Sequence, residues 1–426
     1  MKKIVIEVVI ALLFIMGSIW IVQKTEEDYA FLDWRYRLHQ HTHNCANRLR
    51  GKTPRGDNTI VVLINDEEFW KGSYAGRIPV NKSNLAVLIR DLAKLKPRVI
   101  ALDFNFSSPT VDGSLIDNEV YQHEAKDFAE AVRDVSSPDC TIVLTKFLHP
   151  VYQPDGGYFV ALTNRFDAFQ SEMKDAKFGY INLPYDFRFI PLTVVLNDGS
   201  PIDSFSEAIV RAYDLTGKKL EIDQDGAENY CGSYLEQSKF VVRYTNDISK
   251  ANESQVNELK RLFAGKIVIV GAGWSVDGAP DPTEQRSLVE TVDSRNTPAG
   301  TMAAVFLHAN WVESILADRT GKQFSKKART VIEFCVGLLA FLLFRGWVPW
   351  IRKRPKMQLA LRIIYFPVVG LLWLFISYLF FQNLGLFIDP LPGLVGALLA
   401  LGERVIAKVL EWRKIALQHP QPALPD

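Results

Sequence analysis

Acidic side chains that could bind a ligand or do chemistry follow two predicted strands of this 426-residue chain. Asp66, Glu67 and Glu68 come directly after the run TIVVLIN, and Asp103 lies near the end of RVIALDFNF. Ligands of open α/β sheets bind at the carboxyl ends of strands, so carboxylates there could hold a cation or a cationic ligand. They could equally cap helices or satisfy loop amides, which is the interpretation we favour.

Histidines and cysteines are the next candidates for chemistry. His39, His41 and His43 would share one face of an extended segment and could bind a metal, although a solvated linker is the better interpretation of this polar stretch. Cysteine adds no metal site, because no C-x-x-C spacing occurs. Whether two of the residues Cys45, Cys140 and Cys231 form a disulfide stays open.

The run GKIVIVGAGW resembles the start of a dinucleotide-binding turn. That turn requires G-x-G-x-x-G at the opening of a helix, but Trp274, Ser275 and Val276 follow here and lead into a polar stretch. The motifs G-x-x-x-x-G-K-[ST], G-x-S-x-G and H-E-x-x-H do not occur in the sequence. We therefore predict no cofactor, no metal site, no catalytic residue and no enzymatic activity.

The segment LHANWVESIL places His308, Asn310 and Trp311 in an otherwise apolar helical stretch. A single histidine beside a tryptophan on such a helix is more often a core or interface residue than a ligand. The predicted helix ends about a dozen residues before the next long apolar run. We assign these three residues to the architecture of the domain or to coupling between the domain and a membrane.

The elements that position these residues alternate between strand-like and helix-like runs. This repeated βα pattern predicts an α/β domain with a parallel or mixed sheet flanked by helices. We predict strands at 59–65, 98–106, 140–147, 239–245 and 265–273, helices at 82–95, 120–134, 204–213 and 300–317, and a hairpin over 178–195.

Four long apolar runs flank the α/β region and predict transmembrane helices, because about 20 apolar residues span a bilayer. We interpret the first run as an uncleaved anchor, since it lacks the small-x-small cleavage site of a signal peptide. The predicted spans are 1–23, 328–347, 361–381 and 384–404, so the lipid bilayer is a predicted partner.

Charge sets the orientation of the predicted spans. Six basic residues and no acidic residue lie within or beside the loop 348–360, which places this loop in the cytoplasm. Lys326, Lys327 and Arg329, at the outer end of the second predicted span, weakly oppose this orientation. The domain 24–327 is then extracytoplasmic, and the tail 405–426 is cytoplasmic and too short for a catalytic domain. The net charge of +1 gives no reason to expect nucleic-acid binding.

The assembled pattern resembles the CHASE sensory domains of the second type over roughly 28–405. FLDWRYRLH resembles the opening motif of that family, and TIVVLINDEEF with GRIPVNKSNLAVLIRDLAKLKPRVIALDFNFSSP resembles its most typical block. FGYINLPYDFRFIPL, SFSEAIV, FAGKIVIVGA and LHANWVESIL resemble its later segments, in the same order. The resemblance implies a bacterial inner-membrane protein whose extracytoplasmic domain senses an unidentified stimulus.

The same resemblance points to particular residues. Asp66, Arg77, Asp103 and Arg188 match motif positions and become our candidates for a ligand-binding pocket. His308 and Asn310 match the recurring H-A-N segment, and no catalytic residue is implied. The stretch 70–75 departs from a usually shorter turn, and the usual cytoplasmic output domain of the family does not follow here.

We therefore expect a membrane-anchored extracytoplasmic sensor without its own effector domain. It would signal through a cytoplasmic or membrane partner protein and, by analogy with similar sensors, could form a homodimer. The alternative is a structural scaffold subunit of a bacterial envelope complex. A hydrolase that uses the region of Asp66 and Asp103 ranks third, because no nucleophile and base are visible.

Overall fold

A computed structural model describes two parts of the chain to different extents. The chain divides into a unit of residues Asn47–Lys322 and a second unit of the two terminal segments, Met1–Ala46 and Gln323–Asp426. The structure describes most of 56–147, 173–181, 189–214, 228–274 and 294–323, and scattered positions within 12–41 and 328–387.

A six-stranded parallel sheet forms the centre of the first unit. Its long strands are continuous apolar runs because both faces of the sheet are covered. The spatial order is β11 (Phe240–Tyr244), β1 (Gly56–Asn65), β12 (Ile267–Gly273), β2 (Val99–Asp103), β5 (Thr141–Lys146) and β6 (Lys177–Tyr180). The predicted α/β architecture is confirmed, and the sheet is parallel.

Helices cover the first face of this sheet, where Ile60, Val62 and Val270 belong to one large apolar core. The longest helices present apolar stripes to that core, as amphipathic helices do. Asn81 begins the first of them by accepting hydrogen bonds from the backbone N–H groups of Ser83 and Asn84. The helices are α1 (Lys82–Lys94), α2 (Glu119–Val135), α4 (Thr245–Ser249) and α5 (Glu253–Phe263).

The second face is covered by α3 (Phe205–Tyr213) and α6 (Ala304–Leu316). Two glycines allow these helices to pack closely on the strands. A Cβ atom at Gly179 would lie 2.6 Å from the Cα atom of Phe205, and one at Gly271 would lie 2.7 Å from the Cβ atom of Val305. All eleven residues from 305 to 315 are buried, so α6 is an internal helix and not a surface helix.

Short strands lie outside the central sheet. Outside the central sheet, the described residues form three two-stranded antiparallel ladders and a small sheet in which three strands of the first unit pair antiparallel. The ladders are β3 (Thr110–Val111) with β4 (Ser114–Leu115), β8 (Thr193–Val195) with β9 (Pro201–Asp203), and β13 (Ser294–Thr297) with β14 (Gly300–Ala303). The small sheet has the order β15 (Thr320–Gln323), β10 (Glu228–Cys231), β7 (Phe189–Pro191), and β16 (Leu386–Phe387) belongs to the second unit.

One predicted element is wrong, and another is confirmed with a later start. The hairpin over 178–195 does not form, because β6 joins the parallel sheet while β7 pairs with β10 and β8 pairs with β9. The predicted helix 300–317 begins later, because residues 300–303 pair as β14 before α6 starts. In both cases a partner elsewhere in the chain decides the local conformation.

Within the described residues, no helix is both long enough and apolar enough to cross a membrane. The predicted spans 1–23, 328–347, 361–381 and 384–404 lie almost wholly outside those residues, so they stay predictions. Cys140 and Cys335 are free thiols, which removes Cys140 from any disulfide, whereas Cys45 lies outside the described residues. His39 and His43 lie outside them as well, so the histidine run is not tested.

Candidate functional site

Asp103, His308 and Ser206 meet between the second face of the sheet and the helices α3 and α6. The Nε2 atom of His308 lies 3.9 Å from the Oδ1 atom of Asp103. The hydroxyl oxygen of Ser206 lies 3.4 Å from Nδ1 of the same imidazole and donates to the backbone carbonyl of His308 at 3.3 Å. The ring of Phe205 meets the imidazole edge to face.

This Asp103–His308–Ser206 cluster has the order of a catalytic triad but not its accessibility. Ser206 is only 3% exposed, and both contacts are longer than the roughly 2.6–3.2 Å expected between a nucleophile, a base and its orienting group. Burial also lowers the pKa of His308 to about 4, so the imidazole is neutral at pH 7. In this conformation the cluster fixes α3 and α6 against the end of β2 and offers no attacking group to a substrate.

Asn310 joins α6 to an adjacent extended segment through its buried side-chain amide. Its Oδ1 accepts from the backbone N–H of Leu235 at 2.5 Å, and its Nδ2 donates to the carbonyl oxygens of Leu235 at 3.3 Å and Phe306 at 2.8 Å. The amide therefore pairs with Leu235 as a neighbouring strand would. This placement suits the architectural role that the sequence predicts for Asn310.

Two further side chains of α6 are buried. Trp311 is fully buried, and its indole N–H has no hydrogen-bond partner among the residues that the structure describes. Glu313 accepts hydrogen bonds from the backbone N–H of Asn58 at 3.0 Å and from its side-chain amide at 3.2 Å. Burial raises the pKa of Glu313 above its ordinary value. Glu313 thus attaches the last turns of α6 to the start of β1.

Arg77 forms a bidentate ion pair with Glu124 of α2 on the first face. Nη1 of Arg77 lies 2.6 Å from Oε1 of Glu124, and Nη2 contacts Oε2. The guanidinium also lies 5.1 Å from the ring centroid of Tyr121. The Glu124 carboxylate is nearly buried, and its hydrogen bond raises the pKa of Arg77. The ionic partner of this guanidinium is therefore another residue of the protein, Glu124.

The predicted pocket residues do not all converge. Asp103 contacts α6 on the second face, whereas Arg77 contacts α2 on the first face. Asp66 directly precedes the single π-helical turn Glu67–Lys71 that follows β1. Arg188 lies outside the described residues. Among the predicted site residues that the structure describes, only Asp103 and His308, which the sequence assigned to different roles, come together.

A cleft of about 470 Å³ opens where β1 and β11 end, next to Asp66. The π-helical turn, α1 and α4 form its walls, and we call it the α1–α4 cleft. Its lining comprises Glu67, Glu68, Lys71, Gly72, Ser73, Tyr74, Asn84, Val87, Leu88, Asp91, Thr245, Asn246, Ser249 and Lys250. Among these, the Glu68 carboxylate accepts from the Thr245 hydroxyl, and burial raises the pKa of Glu68.

Comparison with known families decides the class of protein to which this fold belongs. A family model described as the CHASE2 domain matches residues 6–348. The chain belongs to the CHASE2 domain family. No curated protein and no solved structure shows significant similarity to the chain. CHASE2 domains are sensory, so membership of the family is consistent with a sensor.

An aromatic stack also marks the carboxyl edge of this CHASE2 domain. The rings of Phe69 and Trp274 stack at 3.9 Å, and Phe104 lies parallel to the same indole at 6.3 Å. These residues follow β1, β12 and β2, so the stack crosses three neighbouring strand ends. After β1 the chain continues into the helices on the first face, whereas after β12 the next helix in the chain is α6, on the second face. Strand ends where connections diverge are the usual binding region of such sheets.

Several residues that build the sites of the CHASE2 domain carry little or no signal in the sequence. Ser206 and Glu313 were part of helical runs, and Glu124 was one acid on an amphipathic helix. Glu313 is a charged residue within an apolar run, and this pattern is the signal that could have marked it as a buried residue with a partner. The partnership of Arg77 with Glu124 had no local signal, because the two residues lie 47 positions apart.

Proposed function

We propose that this protein is a membrane-anchored sensor whose CHASE2 domain responds to an extracytoplasmic stimulus and passes the response through α6 to a partner protein. Family membership supports the sensory role. The predicted spans and the basic loop 348–360 support the membrane placement. The observation that carries the proposal is the position of α6, which links the carboxyl edge of the sheet to the part of the chain that precedes the second predicted span.

Helix α6 runs across the sheet in the direction opposite to the strands. Near its beginning, Val305 packs at Gly271 by the carboxyl end of β12. Near its end, Glu313 binds Asn58 at the start of β1. The chain then continues through β15, which ends at Gln323. A displacement at the ligand-accessible edge would therefore move a rigid, fully packed helix towards the exit of the domain.

We further propose that the protein is not an enzyme and that its output depends on a partner. The inaccessible hydroxyl of Ser206 and the neutral, buried imidazole of His308 support the first point. The basic loop 348–360 offers a cytoplasmic surface for an acidic partner, which supports the second.

The test is affinity purification of the tagged full-length protein from native membranes in mild detergent, followed by mass spectrometry. We expect a stoichiometric cytoplasmic kinase, cyclase or regulator. A variant in which the basic residues Arg352, Lys353, Arg354 and Lys356 are all replaced by Gln should lose this partner, whereas replacement of Arg413 and Lys414 should not. Recovery of envelope-assembly proteins alone would overturn the sensor proposal and favour the scaffold alternative.

A further inference from the structure

We propose that the α1–α4 cleft binds a free amino acid with an aliphatic side chain. The inference rests on the proposed sensor function and names the chemical class of its stimulus. The cleft lies at the carboxyl ends of β1 and β11, and its volume of about 470 Å³ is in the range of sites that enclose small molecules.

The charges of the lining suit a zwitterion. Three carboxylates and two ammonium groups line the cleft, so a simple anion or a simple cation would meet repulsion as well as attraction. Glu67 and Lys71 lie four positions apart on the exposed side of the π-helical turn, and neither side chain has a hydrogen bond or ion pair with the described residues. These two groups are available to the ammonium and the carboxylate of an amino acid.

The remaining lining supplies hydrogen-bonding groups and one exposed apolar contact. Val87 is 54% exposed and shares its face of α1 with Asn84 and Asp91. Sites for small molecules combine apolar contact surface with a few polar groups that fix the orientation of the ligand, and Val87 is the apolar surface that this largely polar cleft exposes. An aliphatic side chain on the ligand would cover Val87.

The floor of the cleft explains how a bound amino acid would affect the fold. The Glu68 carboxylate accepts from the Thr245 hydroxyl and is attracted by Lys250, so the segments that follow β1 and β11 already meet there. A ligand held between Lys71 and the groups of α4 would draw these two segments together. Because β1 also packs against α6, a shift of the segment after β1 on binding would be passed to α6, which lies near the end of the domain.

Isothermal titration calorimetry on the purified full-length protein in mild detergent tests the inference. The probes are leucine, isoleucine, valine and methionine, and we expect at least one of them to bind with a dissociation constant below about 1 mM. For leucine, the analogues are 3-methylbutylamine, 4-methylpentanoate and glycine, which lack the carboxylate, the ammonium and the side chain. Each should bind at least about tenfold more weakly than leucine.

Matched variants locate the site. Glu67→Gln and Lys71→Met should each weaken amino-acid binding by about five- to tenfold, because each removes one charge-assisted contact. Glu258→Gln, at a second cleft on α5, should leave binding unchanged. The proposal is overturned if none of the four amino acids binds at about 10 mM, if the charge-deficient analogues bind as well as leucine, or if both cleft variants bind normally. Partner recovery in the affinity purification does not depend on this titration, so failure here leaves the sensor proposal intact.

Discussion

The burial of His308 predicts a specific loss of stability in mild acid. Its pKa is about 4 in the folded protein and near 6.5 when the imidazole is solvated. Because the folded pKa is the lower one, the unfolded chain takes up this proton first as the pH falls. The stability that neutral His308 contributes is therefore complete above about pH 6.5 and is lost as the pH falls towards about 4.

The magnitude follows from proton linkage. Between neutral pH and pH 5, a pKa difference from 6.5 to about 4 lowers the free energy of unfolding by about 2 kcal/mol. The carboxyl group of Asp103, 3.9 Å from Nε2, would favour the protonated imidazole when it is ionised, so this value is an upper bound. For a unit of this size, about 2 kcal/mol corresponds to a decrease of roughly 4–8 °C in the midpoint of thermal unfolding.

Thermal unfolding of the full-length protein and of His308→Asn, at about pH 7.5 and about pH 5, isolates this contribution. Asparagine keeps a polar group near Ser206 but does not titrate. The wild-type midpoint should fall by up to about 4–8 °C more than the midpoint of the variant. As a control, His123→Asn removes an exposed histidine of α2 and should retain the wild-type pH response. Equal decreases in the wild type and His308→Asn would refute the assignment of a neutral buried imidazole.

Three substitutions test other contacts through the free energy of unfolding. Asn310→Ala leaves buried backbone groups unpaired, and we expect a loss of about 3–5 kcal/mol by thermal or chemical denaturation. Arg77→Met leaves the nearly buried Glu124 carboxylate without its ion pair, with an expected loss of about 2–4 kcal/mol in the same assay. Gly271→Ala places a methyl group against Val305, so we expect a loss of about 1–3 kcal/mol and a coupling of about 1 kcal/mol in a double-mutant cycle with Val305→Ala.

Matched controls make these three results interpretable. Asn84→Ala removes an exposed amide that donates to the carbonyl of Ser73, and it should cost no more than about 1 kcal/mol. Arg90→Met breaks an exposed pair with Asp134 and should cost less than about 1 kcal/mol. If these controls lost as much stability as Asn310→Ala and Arg77→Met, burial would not be the cause of the larger losses. Additive effects of Gly271→Ala and Val305→Ala would contradict the close approach of α6 to β12.

The strands of the central sheet were predictable from the sequence, and their order was not. A strand buried on both faces is a continuous apolar run, so the runs around Val61, Ala101 and Ile269 indicate strands directly. Which runs are neighbours depends on contacts between distant segments. The pairing of β7 with β10 instead of β6 is such a contact, and it is the reason that the predicted hairpin is wrong.

The candidate sites were predictable only in part. Ile100 and Leu102 face the first-face core, so alternation along the strand places Asp103 on the second face. A prediction of the contact between Asp103 and His308 would also have needed the position of α6, which no spacing of residues in the sequence indicates. For the acidic residues after β1 the favoured interpretation was helix capping, and Asp66 was the pocket candidate; a cleft does lie beside them, but Glu67 and Glu68 line it and Asp66 does not. The positions of the predicted membrane spans and of Arg188 stay predictions.

The placement of β1 between β11 and β12 has a consequence for synthesis of the protein on the ribosome. Ile60 pairs with Val241 on one side and with Val268 on the other, so the two neighbours of the first strand are the last two strands of the central sheet to be made. At about 5–20 residues per second, the roughly 200 intervening residues take about 10–40 s to emerge. During that interval the nascent chain carries an apolar β-branched segment with two unpaired edges, which is a typical aggregation hazard. We expect the emerging protein to depend on a holding chaperone until translation reaches residue 273.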